Sequence, residues 1–107
     1  MLRIYPVAME MIGRLAEVVE EVERRDRDLG RQMRRALASV GLNLAEGMGN
    51  TGGHKRERYQ TALGSAREVR ASIEVARAFR YVGQVDESAV DQLEHVIATL
   101  IRLVRPA

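Results

Sequence analysis

Apolar residues recur at spacings of three and four in four separate runs, and a period near 3.6 residues is that of amphipathic helices. In the first run Ala8, Met11, Leu15, Val18 and Val22 form the stripe, and Ile12 and Val19 widen it. Pro6 stands where a first helical turn tolerates a missing N–H, which predicts a helix over about 6–24. The second run, Leu29, Met33, Ala36, Leu37, Val40 and Leu44, predicts a helix over about 28–46, with Asp26 and Asp28 as candidate N-caps and Gly47 suited to a left-handed C-cap. The third, Ala62, Ala66, Val69, Ile73 and Ala76, predicts a helix over about 54–82 ended by Gly83. Its small residues Ala62, Gly64, Ser65 and Ala66 would admit a close neighbour, a packing reason for an interior glycine that otherwise costs about 1 kcal/mol against alanine. In the fourth, Val90, Leu93, Ile97, Leu100 and Val104 follow Asp86 and Ser88, the candidate caps of a helix over about 87–105. Val96, Ile101 and Leu103 broaden that face beyond one seam, enough to meet a second subunit. No alternating strand pattern and no internal repeat occurs. Short connections between such helices favour antiparallel neighbours, so the chain reads as one all-α domain over 1–107, an up-down-up-down four-helix bundle.

A polar stripe interrupts the ordinary division of faces. Arg35, Ser39, Asn43 and Glu46 lie directly beside the apolar arc of the second helix rather than opposite it. On the third helix Ser65 and Ser72 edge the apolar stripe, and Glu68 lies one turn beyond Ser65. Such placement suggests a buried or interface network that fixes helix register, with Arg35 paired to Glu46 or Glu68. The same six residues, Arg35, Ser39, Asn43, Glu46, Ser65 and Glu68, could instead line a ligand or RNA site.

These positions carry a family resemblance. Leu29, Gln32, Arg35, Ala36, Ser39, Val40, Asn43, Leu44, Ala45, Glu46 and Gly47 are followed by Ala62, Gly64, Ser65 and Glu68, and then by Val69, Ile73, Ala76, Phe79, Tyr81 and Val82. Over this half of the chain the sequence resembles the bacterial four-helix-bundle proteins typified by 23S rRNA-intervening sequence proteins. A related branch is the accessory variability determinant of diversity-generating retroelements. The resemblance implies a ring-like homo-oligomer, most simply a pentamer, and Glu68 facing the stripe of the second helix. It also implies a nucleic-acid accessory role, with RNA or DNA and a reverse transcriptase as possible partners. Such proteins usually have an arginine after the Glu-Gly pair and phenylalanines before the Ala-x-Gly-Ser run. Here Asn50 and Arg58 stand at those positions, with Tyr59 adjacent, so Lys55, Arg56 or Arg58 would take that arginine's role.

Composition narrows the chemistry. Cysteine is absent, which removes disulfides, thiolate catalysis and cysteine-ligated metals. Pro6, Glu10 and Arg14 break the first segment well short of a signal or membrane run, and a cytoplasmic location is expected. His54 and His95 are the only histidines, and neither belongs to a metal-binding helix motif. Ser39, Ser65 and Ser72 have no histidine nearby in sequence to activate them. The loop GMGNTGG over 47–53 is rich in glycine but lacks a phosphate-loop pattern and a preceding strand, so it reads as a mobile helix connection. No enzyme chemistry, cofactor or metal is expected.

Net charge is only +2, yet its distribution is uneven. Met1 to Glu23 carries two Arg against five Glu, Arg24 to Arg35 six Arg against two Asp, and His54 to Arg80 seven basic residues against three Glu. Arginine grips phosphate bidentately, so Arg24, Arg27 and Arg31 with Lys55, Arg56 and Arg58 are the candidate nucleic-acid contacts. Aromatic residues are few (Tyr5, Tyr59, Phe79 and Tyr81), so phosphate contact is expected to outweigh base stacking. The alternative is a structural or protein-interaction scaffold on which these charges are solvated helix faces.

Overall fold

In the computed structural model, which describes residues 2–106, the backbone forms α1 (Ile4–Arg25), α2 (Arg27–Gly49), α3 (Gly52–Ala78) and α4 (Glu87–Val104). No strand occurs among the described residues. Helix α1 packs on α2, α2 on α3, α3 on α4, and α4 closes back on α1, giving an up-down-up-down bundle with principal extents of 42 × 24 × 20 Å. The four stripes read from the sequence turn inward. Met11, Leu15, Met33, Leu44, Leu93 and Leu100 are fully buried, and each side chain of that size contributes about 1.5–3 kcal/mol by leaving water.

One residue joins α1 to α2. The extended backbone of Asp26 (φ −149°, ψ 98°) turns the chain, its N–H donates to the Val22 carbonyl at 2.7 Å, and its Oδ1 accepts from the Leu29 N–H at 3.0 Å. One carbonyl in the last turn of α1 and one N–H in the first turn of α2 are thus satisfied by a single residue, through its peptide and its side chain. So tight a corner forces the helices together: a Cβ on Gly30 would overlap the Glu23 side chain and come within 2.9 Å of Glu23 Cα. Past the corner, Arg34 Nη2 donates to Glu23 Oε1 at 2.6 Å and Nε to Oε2 at 3.3 Å, a two-pronged pair joining the helices. Hydrogen bonding from Arg34 holds the Glu23 carboxyl below its ordinary value, against a smaller opposing effect of burial.

Several boundaries differ from the sequence reading. Helix α2 runs through Gly47 instead of ending there, and only Asn50 and Thr51 separate it from α3. Gly47 is therefore a contact glycine and not a C-cap: Tyr59 lies across it, with ring atoms 2.7 and 3.0 Å from where a Cβ would be. The C-cap is Asn50, whose amide donates to the Glu46 carbonyl at 2.7 Å. Gly64, by contrast, faces open space within the chain, so it has no packing role there.

Helix α3 stops at Ala78, short of Gly83. Tyr81 N–H donates to the Ala76 carbonyl at 2.8 Å and Arg80 N–H to the Arg77 carbonyl at 3.0 Å, the 6→1 and 5→2 bonds of a Schellman cap. The left-handed residue such a cap requires is Arg80, at φ 63°, where glycine is the usual occupant. Val82 and Val85 then enter the core, and Asp86 caps α4 by accepting from the Ser88 N–H at 2.9 Å.

Two substitutions test these corners. Arg80→Gly relieves the left-handed side-chain penalty and is expected to stabilise the protein by about 1 kcal/mol, raising Tm by roughly 4 °C or more. Gly30→Ala drives a methyl group into Glu23 and is expected to cost about 1–3 kcal/mol. Thermal unfolding followed by circular dichroism measures both; a lowered Tm for the first, or an unchanged one for the second, contradicts the corner geometry.

Candidate nucleic-acid interface

The polar stripe assembles in part. Ser65 Oγ donates to Ser39 Oγ at 2.7 Å, linking α3 to α2, and Asn43 Nδ2 donates to the Ser39 carbonyl and Oγ at 2.9 and 3.1 Å. All three side chains are half-buried. Arg35, Ser39, Ser65 and Glu68, with Gln32, line an open groove of about 350 Å³ between the two helices. Arg35, Glu46 and Glu68 are exposed, and among the described residues none of them forms an ion pair. The pairing of Arg35 with Glu46 or Glu68 is thus not made within the chain. For Glu46 the reason is length, since eleven residues along one helix place it about 16 Å from Arg35. Glu46 belongs to a separate groove with Leu42 and Asn50 near the end of α2.

The six basic candidates fall into two groups. Antiparallel pairing of α2 and α3 puts Arg24, Arg27 and Arg31 at one end of that hairpin and Lys55, Arg56 and Arg58 at the other, separated by most of the length of α2, about 24 Å or more. They form two poles instead of one patch. Arg31 is partly neutralised by Asp28 at 3.1 Å, whereas Arg24, Arg27, Lys55, Arg56 and Arg58 have no ion-pair partner among the described residues. Lys55 is half-buried and the other five are exposed.

Three features of the first pole lie outside the sequence candidates. Arg77, in a groove with Glu87, and Arg80 stand at the end of α3, where Tyr81 Oη donates to Asp26 Oδ2 at 3.2 Å. Burial raises the Tyr81 phenol above its ordinary pKa, and the Asp26 carboxylate that accepts its hydrogen bond adds to the rise. Phe79 stacks on Tyr81, with centroids 5.3 Å apart and planes 16° from parallel. The Arg-rich run around Asp26 was visible in the sequence; its meeting with Phe79 and Tyr81, more than fifty residues away, required the fold.

Between the poles lies an apolar surface. Met9 and Leu42 are exposed to 45% and 67%, and Ile12, Ala16 and Ala38 line a shallow groove between α1 and α2. Tyr59 is buried beside Gly47, its hydroxyl has no hydrogen-bond partner among the described residues, and burial pushes its pKa up. His54 and His95 are both exposed. Among the described residues no three His, Asp or Glu side chains are grouped to hold a metal ion, and no helix is long and apolar enough to cross a membrane.

Four antiparallel helices, a Ser-Asn link between α2 and α3, and arginine-rich helix ends define a small helical-bundle protein. Residues 1–104 match the family model described as 23S rRNA-intervening sequence protein, and the chain belongs to that family. Neither a curated protein nor a solved structure matches it.

The stripe yields its own test. Ser39→Ala removes the acceptor shared by Ser65 and Asn43 and is expected to cost about 1 kcal/mol. Arg35→Ala, at an exposed and unpaired site, is expected to change stability by no more than about 0.5 kcal/mol. Denaturant unfolding separates the two, and a loss of several kcal/mol for Arg35→Ala would put that guanidinium in a buried pair between subunits.

Proposed function

We propose that the protein is a non-enzymatic, RNA-binding accessory factor that works as a ring-like homo-oligomer. The observation that carries this reading is the pair of poles whose basic side chains are mostly exposed and, among the described residues, mostly without an ion pair, on a chain of nearly balanced charge. Exposed guanidinium groups left unpaired by their own chain are available to phosphate, where each makes charge-assisted, often bidentate contacts. The family's name concerns intervening sequences of 23S rRNA, which makes RNA the first polyanion to test. In a ring each pole would be repeated around the axis, turning two small patches into two basic belts. The apolar strip of Met9, Ile12 and Leu42 supports self-association, and the subunit number of five rests on the family resemblance. The same strip favours the second reading, a protein-interaction scaffold without a nucleic-acid role.

Titrating a labelled RNA at several salt concentrations tests the proposal. Log affinity should fall linearly with log salt, by about 0.7 per phosphate contacted on a single strand and 0.9 on a duplex. Reversing Arg24, Arg27 and Arg31 to Glu, or Lys55, Arg56 and Arg58 to Glu, should each flatten that slope and weaken binding. Light scattering of the wild-type protein should give several times the monomer mass. Tight binding that ignores salt and survives both reversals rejects the phosphate reading, and no binding at low salt leaves the scaffold in its place.

A further inference from the structure

Phe79 is the apolar side chain hardest to account for by folding alone. It is 65% exposed, yet it is held flat against Tyr81, which is itself fixed by its hydrogen bond to Asp26. An exposed aromatic with one face packed and the other free is a stacking platform, because the free face can accept any planar ring. Between the two rings in sequence stands Arg80, in the left-handed conformation that a Schellman cap ordinarily gives to glycine. A side chain kept at a position where none is structurally required points to a use for its charge. Arg77 precedes the pair, and Arg25 and Arg27 flank the aspartate that anchors Tyr81. The acids at this corner are partly committed: Asp26 to Tyr81 and the α2 cap, Asp28 to Arg31. Glu87 shares a groove with Arg77.

From this juxtaposition we infer that the corner formed by Phe79, Arg80 and Tyr81 against Asp26 is a site for unpaired RNA, with a base stacked on Phe79 and the adjoining phosphates held by Arg80, Arg25 and Arg27. The inference rests on the RNA-binding reading and refines it: this pole selects single strands. In a duplex the faces of the bases are stacked on one another and closed to a side chain, whereas an unpaired base has a face to offer. The opposite pole, around Lys55, Arg56 and Arg58, has only Tyr59 among its neighbours in sequence, and that ring is buried against Gly47. It can contact phosphate without discriminating strandedness.

The test compares an unstructured oligouridylate with an RNA duplex of equal length at one low salt concentration. Phe79→Ala is expected to weaken single-strand binding about tenfold or more, the scale of one lost base-aromatic stack, and to leave duplex binding within about twofold. Phe79→Trp should restore or exceed the wild-type affinity. Arg80→Gly should raise Tm and weaken single-strand binding in the same protein, a combination that damage to the fold cannot produce. A 2-aminopurine placed in the oligonucleotide should be quenched by the wild-type protein and by Phe79→Trp, but less by Phe79→Ala. Unchanged single-strand affinity for Phe79→Ala, or an equal loss on duplex and single strand, overturns the inference. If binding then still yields to the charge reversals, the general RNA reading survives, while no RNA binding by the wild-type protein removes both.

Discussion

The bundle depends on what Asp26 does in a single residue. Its peptide closes α1, its Oδ1 opens α2, and its Oδ2 accepts from Tyr81, so two helix ends and the segment that follows α3 are indexed to one residue. The geometry leaves little freedom. A carboxylate at an N-cap is stabilised by the free N–H groups and the positive end of the helix dipole, and a second acceptor oxygen remains for the phenol. The close approach of α2 at Gly30 and the two-pronged Glu23–Arg34 pair follow from the same turn. Charges at this corner are thus spent unequally, with Glu23, Asp26 and Asp28 engaged and Arg24, Arg25 and Arg27 left facing solvent without an ion pair among the described residues.

The helices themselves were legible from periodicity, since an apolar stripe that must leave water fixes both the period and the buried face. Ala8, Met11, Leu15 and Val22 in α1, and Leu93, Ile97 and Leu100 in α4, are buried as that argument requires. Helix ends were less legible, because glycine has two uses that look alike in a sequence. Gly47 and Gly83 both carried the appearance of terminators. One is instead the flat spot on which Tyr59 rests, and the other lies five residues beyond the end of its helix, where Arg80 took the left-handed position. Only the partner across the helix interface distinguishes the cases, and that partner is distant in sequence.

The candidate site divides along the same line. Ser39, Asn43 and Ser65 sit at helical spacings on facing stripes, so their proximity is visible in the sequence, while the rise along a single helix keeps Arg35 and Glu46 apart. For the basic residues, clustering in sequence gave the two groups but not their distance, which antiparallel pairing sets at the greater part of the length of α2. Phe79 and Tyr81 belong to the run that carries the family resemblance, but nothing in their spacing shows that the two rings meet. Two of four aromatics two residues apart would share a face in a strand and diverge on a helix; here they stack because the helix ends at Ala78 and Arg80, between them, is left-handed.

The connections also bear on how the chain reaches this state. One residue joins α1 to α2 and two join α2 to α3, so most interhelical contacts of the first 78 residues close short loops and cost little entropy to form. Helical bundles with such local wiring fold on microsecond-to-millisecond timescales. The span between α3 and α4 covers eight residues and carries Phe79, Arg80 and Tyr81, with Val82 and Val85 as its hold on the core. Local opening should therefore be cheapest in this segment, and its amides are expected to exchange hydrogen ahead of those within α1 and α2. The segment bearing the exposed ring is then also the one best able to adjust to what it meets.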